Sequence, residues 1–281
     1  MGTARGVQTS GKYGAGPQEG YDRRVRLGAT AGIAALALAL VARAQETPIV
    51  VAVLDAPGVG QEALETAIAA LGTDAGLEVR RVRPDEVRSG ALEGAHAVLF
   101  TGGRGSVQGR ALGQDGRAAV RRFVERGGGY VGICAGAYLA LQGEPEFFKL
   151  GLVAGRHATG EAWVRGIAPV RIRSSAGTFE AHYANGPLVA PQEVPGVAPF
   201  VVLSTFETEL ASEAHGTHRG EMAGMPAVLA AARGRGRIVL FSPNPTLPPA
   251  HPEWLRAALL FAAHGGALRE DLGWADVFGD R

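Results

Sequence analysis

Gly127-Gly128-Gly129-Tyr130-Val131-Gly132-Ile133-Cys134-Ala135-Gly136-Ala137-Tyr138-Leu139-Ala140 is the stretch whose reading decides the fold, and it holds the chain's single cysteine. A short apolar run leads into Cys134, small residues surround it, and an apolar helical start follows. The stretch therefore predicts a strand, a sharp turn and a helix. Gly132 and Gly136 flank the cysteine at i−2 and i+2. This is the G-x-S-x-G spacing, in which a nucleophile on a strained turn needs neighbours without side chains. At such a nucleophile elbow the following helix directs unpaired N–H groups and its positive dipole end at the sulfur, which predicts a thiol pKa below the ordinary value. The competing reading is a small buried hydrophobe, the usual fate of a lone cysteine in an apolar run. The flanking glycines and the strand-to-helix switch favour the elbow.

Working outward, Ile49 to Leu54 is a continuous apolar run of the kind found in strands covered on both faces. A helical pattern follows from Gln61 to Leu71, then strands at Leu77 to Val82 and Ala95 to Phe100, then a helix from Gly116 to Arg126 that returns to the cysteine strand. Such alternation predicts an α/β domain with a parallel sheet and helices on both faces. The strand before the elbow strand ends in Thr101-Gly102-Gly103-Arg104-Gly105. A glycine pair at the carboxyl end of a buried parallel strand lies where open α/β sheets place ligands, and its N–H groups can approach a developing oxyanion. A plain turn is the simpler reading of Gly102-Gly103 taken alone. Beyond Gln142-Gly143 the pattern is weaker: Val170 to Arg173, Phe200 to Phe206, Ala227 to Ala232 and Arg237 to Phe241 read as strands. Trp254, Leu255, Leu259 and Leu260 form the buried face of a final helix that begins near Pro252.

The cysteine stretch resembles the elbow of the class I glutamine amidotransferase-like superfamily, most closely the biotin-protein ligase N-terminal domain group, and the similarity extends from about Ile49 to Ala263. The resemblance implies a flavodoxin-like fold, Cys134 as nucleophile, and an oxyanion hole from the Gly102-Gly103 loop with Arg104 and Ala135 beside it. It also implies a His-Pro-Glu triplet after the last strand, but the matching positions are Asn244, Pro245 and Thr246. An amide cannot take a proton from a thiol near neutral pH, so Asn244 is expected in the pocket without the base's role. His251-Pro252-Glu253 follows seven residues later and is the candidate replacement, with His251 as base and Glu253 orienting it; the same residues fit a helix start. Tyr138 stands where glutamine-hydrolysing members carry Gln. Two functions remain open: a cysteine amidase or hydrolase acting on a small amide or ester, and a small-molecule or protein binding module that has lost the base.

The 281 residues, 46% hydrophobic and 20% charged, suffice for one large domain, expected over 45–281. A formal net charge of +1 gives no sign of a nucleic-acid partner. One cysteine excludes an internal disulfide, and no pattern calls for a cofactor. Residues 1–22 read as a disordered leader. Arg23-Arg24-Val25-Arg26, the apolar run Leu27 to Ala42 and Ala42-Arg43-Ala44 follow in the order of an export signal cleaved after Ala44, with Arg23-Arg24 resembling a twin-arginine signal. The apolar run is shorter than the roughly 20 residues that span a bilayer, so a secreted or periplasmic protein without a stable anchor is expected. Glu180 and His182 share a strand face, with a solvated face the simpler reading. His215 and His218, near Glu213 and Glu221, read as an exposed loop and not as metal ligands. His96, His157 and His264 have no companion pattern.

Overall fold

The computed structural model describes residues 47–143, 148–158, 165–210 and 219–279. The expected export segment and the His215/His218 pair lie outside them. Strand β1 (Ile49–Leu54) is buried along almost its whole length, as are β3 (Ala97–Phe100) and β4 (Gly129–Ile133). These strands need apolar residues at every position because helices cover both faces. β2 (Leu77–Val82) is the outer strand and carries Glu78, Arg80 and Arg81, charges that protect an exposed edge.

The sheet runs β2-β1-β3-β4 and continues through β11 (Gly236–Phe241), β10 (Pro226–Arg233), β9 (Val201–Phe206), β6 (Ile167–Ser174) and β7 (Gly177–Ala184). Its first five strands are parallel. The chain moves outward from β1 to β2, then turns back to β3 and β4. Right-handed crossovers therefore put α1 (Gln61–Leu71) on one face and α2 (Pro84–Arg88) and α3 (Gly105–Glu125) on the other. Helix α5 (Pro252–Ala263) packs beside α1 and across β1, β3, β4 and β11, while α2 packs on α3. The reversal between β1 and β3 opens a switch point at their carboxyl ends, and Cys134 ends the next strand.

The other four strands, β10, β9, β6 and β7, are antiparallel. The central sheet is thus mixed, where the alternation of the first half predicts a parallel one. Short β5 (Gly155–His157) and β8 (Val189–Pro191) form a separate pair. Helix α3 starts eleven residues before the expected Gly116, at Gly105, and breaks at Gly113, whose φ of 67° leaves the helical region. The final α6 (Trp274–Phe278) adds Trp274 and Phe278 to an aromatic cluster with Phe179, Trp254 and Phe241. That cluster fastens the β6–β7 hairpin to the carboxyl-terminal helices.

Candidate functional site

Cys134 sits between β4 and α4 (Ala135–Ala140) with φ 50° and ψ −102°, a left-handed conformation that residues with a side chain adopt at a cost of about 1–3 kcal/mol. Its N–H donates to Phe241 O at 2.8 Å, and its carbonyl starts the helix by accepting from Tyr138 N at 2.9 Å. The flanking glycines are steric necessities. A Cβ on Gly136 would overlap the Phe100 carbonyl, and one on Gly132 would lie 2.7 Å from the Gly136 carbonyl carbon. Tyr130 Oη closes the turn by donating to Gly136 O at 2.7 Å.

The sulfur is surrounded by main chain. The N–H groups of Gly103 and Ala135, expected as oxyanion donors, both point at Sγ. Sγ in turn donates to Ala184 O at 3.3 Å. The residue is half-buried, but the protein is packed closely enough around the sulfur that burial pushes the thiol up to about 11. The two N–H groups pull the other way and only partly offset burial. This corrects the expected depressed pKa. Helix α4 has six residues, so its dipole is weak, and a carbonyl faces the sulfur where a thiolate would need donors.

Gly103 is held by an antiparallel bridge to Val59, and its φ of +127° leaves room only for hydrogen, since a Cβ would overlap Gly58 O. Gly102 lies against the cysteine, where a Cβ would be 3.8 Å from that of Cys134. Its carbonyl accepts from Gly60 N and from the buried Gln108 Nε2. Arg104 donates its N–H to Gly58 O at 2.6 Å, heads α3 and is exposed. Gly102, Gly103 and Ala135 are therefore brought together at Cys134.

The other candidates are arranged differently. Asn244 is buried, but its Oδ1 accepts from Thr246 N at 2.8 Å and Thr246 Oγ1 at 2.9 Å. The carbonyl oxygen of the amide is thus committed to its own turn, and Thr246 Oγ1 meets Thr66 Oγ1 at 3.1 Å. His251 lies at the start of α5, its ring stacked on Trp254 with centroids 3.8 Å apart and planes at 6°. Its Nε2 donates to Glu180 O at 2.7 Å and its Nδ1 faces Glu253 Oε1 at 3.2 Å. The His251–Glu253 pairing thus forms, while both ring nitrogens are turned to partners other than Cys134. His182 Nδ1 donates to Pro248 O at 3.1 Å. Tyr138 stacks on Phe148, meets His157 edge-on and lies beneath Lys149 Nζ, 2.9 Å from the ring centroid.

Three groups carried no sequence signal. Ala184 acts through its carbonyl, which every residue has. Tyr183, buried and donating to Gly186 O, is close enough to Cys134 for a thiolate there to hold its phenol up further, after the larger effect of burial. Lys149, 5% exposed, donates to Tyr138 O at 2.6 Å, and burial lowers its ammonium to about 6. Burial, then the charges of Lys149 and Arg165, lower His157 to about 3. Among the described residues no three His, Cys, Asp or Glu side chains cluster as metal ligands.

Residues 49–149 match the family described as biotin-protein ligase, N terminal. A comparison with curated proteins finds no match. Among solved structures, a glutamine amidotransferase is 22% identical, with 75% of this chain and 98% of that one covered at a TM-score of 0.53. The β-galactosidase from Bacillus circulans sp. alkalophilus is 13% identical at a TM-score of 0.50, covering 76% of this chain, which spans only 30% of that enzyme. At these identities the structures speak for the fold alone. Residues 49–149 are thus similar to the biotin-protein ligase N-terminal family, and the chain shares its fold with a glutamine amidotransferase.

Proposed function

We propose that the Cys134 site binds a small carbonyl-bearing ligand, an amide or ester, and that Cys134 serves there as a neutral hydrogen-bonding thiol and not as an activated nucleophile. The observation that carries this reading is the thiol's own environment: Sγ–H donates to Ala184 O while Gly103 and Ala135 N–H groups point at the sulfur. A cysteine hydrolase needs a base within hydrogen-bond reach of the sulfur. The imidazole of His251 is held by Glu180 O, Glu253 and Trp254. Displacement of the Ala184 carbonyl leaves Sγ–H free to donate to a ligand carbonyl, while the Gly103 and Ala135 N–H groups hold the sulfur in place.

One observation favours the second reading, a cysteine amidase or hydrolase. The chain keeps Cys134 at a positive φ, a conformation with a cost that a purely structural cysteine has no need of. Catalysis would require His251 to exchange its Glu180 contact for the thiol. The two readings separate in one assay, in which a panel of small anilides and esters is offered to the wild type and to Cys134→Ala. Equal background turnover, with carboxamides protecting Cys134 from alkylation, is expected. Turnover that depends on Cys134 sinks the binding reading. Export through residues 23–44 belongs to the same proposal, and the intact mass of protein recovered from the cell envelope tests it.

A further inference from the structure

Strand β7 is the last strand of the nine-stranded sheet, so one of its edges has no strand beside it. Exposed edges invite mispairing and are commonly covered. Here the cover is the candidate site itself. Carbonyls of alternate residues point to the same side of a strand, and three successive ones on this edge are taken up in turn. Ala184 O accepts from Cys134 Sγ at 3.3 Å, His182 O from Asn244 N at 2.6 Å, and Glu180 O from His251 Nε2 at 2.7 Å. The His182 ring adds a fourth contact, Nδ1 to Pro248 O at 3.1 Å. Residues 244–251 thus stand where a tenth strand would lie, and Cys134 continues that row. On its other edge β7 pairs with β6 through eight residue pairs, from Ile167–Ala184 to Ser174–Gly177, so the hairpin holds together when the outer row is released.

We infer that the outer edge of β7 is a strap over the site: anchored through the β6–β9 pairing and Phe179, it is shut by the contacts of His182 and His251 and caps the thiol with the Ala184 carbonyl. The inference rests on the ligand-binding reading of Cys134 in one respect: strap and ligand present the same group, a carbonyl, to the same thiol donor and therefore compete. His251 is then a positioning residue for the strap, with no part as a base.

The test compares wild type, His182→Ala and His251→Ala at one fixed pH. Alkylation of Cys134 by iodoacetamide is followed together with amide hydrogen exchange over residues 177–186. Loss of one hydrogen bond changes an opening equilibrium by about 2- to 10-fold. Both variants should raise exchange in β7 and alkylation of Cys134 together by such a factor. Faster exchange with unchanged alkylation overturns the strap, as does unchanged exchange in both variants. Slower alkylation in His251→Ala also overturns it, because the imidazole would then be assisting the thiol. If carboxamides fail to protect wild-type Cys134 while both variants are alkylated faster, the ligand reading falls and the strap stands.

Discussion

At Cys134 two effects of opposite sign meet, and their sizes decide the chemistry. Two N–H groups and a helix start favour the thiolate, whereas burial and the Ala184 carbonyl favour the thiol; burial wins and the group is pushed up to about 11. The rate of alkylation by iodoacetamide should therefore keep rising with pH well beyond the ordinary thiol value of about 8.5. A plateau at or below neutral pH would mean that the donors dominate. Asn244 provides the complementary test. Its backbone is bridged to His182, two residues from the Ala184 carbonyl that caps the thiol. Asn244→His should raise the reaction of Cys134 with a thiol-directed acyl probe by up to about 10²-fold, the low end of general-base assistance. An unchanged rate would show that position 244 does not address the sulfur.

At the scale of elements, the site is a meeting of loops held by close backbone contacts. The loop after β3 depends on Gly103, which combines a φ of +127° with contact against Gly58. Gly103→Ala should lower stability by at least about 1–3 kcal/mol in urea denaturation, the cost of holding a side chain in such a conformation. Helix α4 has a different support, since Lys149 caps it by donating to Tyr138 O from a site that water hardly reaches. The cap and Cys134 lie at opposite ends of the same six-residue helix.

Lys149 also makes a prediction about the whole molecule. Its folded pKa of about 6 lies below the ordinary value of 10.5, so between these pH values the unfolded chain binds a proton that the folded chain does not. The number of protons bound is larger in the unfolded state, and stability from this group rises with pH through that window. The destabilisation is complete below pH 6 and gone above 10.5. Lys149→Met should raise Tm most at and below pH 6, and the gain should shrink as pH climbs toward 10.5. A difference in Tm that is flat with pH would show that the amine reaches water in the folded protein.

The parallel half of the sheet and the turn at Cys134 were legible in the sequence because both rest on local patterns: continuous apolar runs such as Ile49–Leu54, and glycines at fixed distances from one residue. The antiparallel half was only partly legible. Its strands β6 and β7 mix exposed arginines, Glu180 and buried residues, and their place beside β9 is a matter of long-range pairing. Sequence proximity pointed to His251 as a base, but the ring's position follows from stacking on Trp254 and from the Glu180 carbonyl, 71 residues away in the chain. The state of the thiol was likewise decided only in three dimensions. A sequence can place a cysteine at a helix start, which argues for a thiolate. How much water remains at the sulfur, and that a carbonyl 50 residues distant caps it, depends on where the end of the sheet brings β7 relative to Cys134.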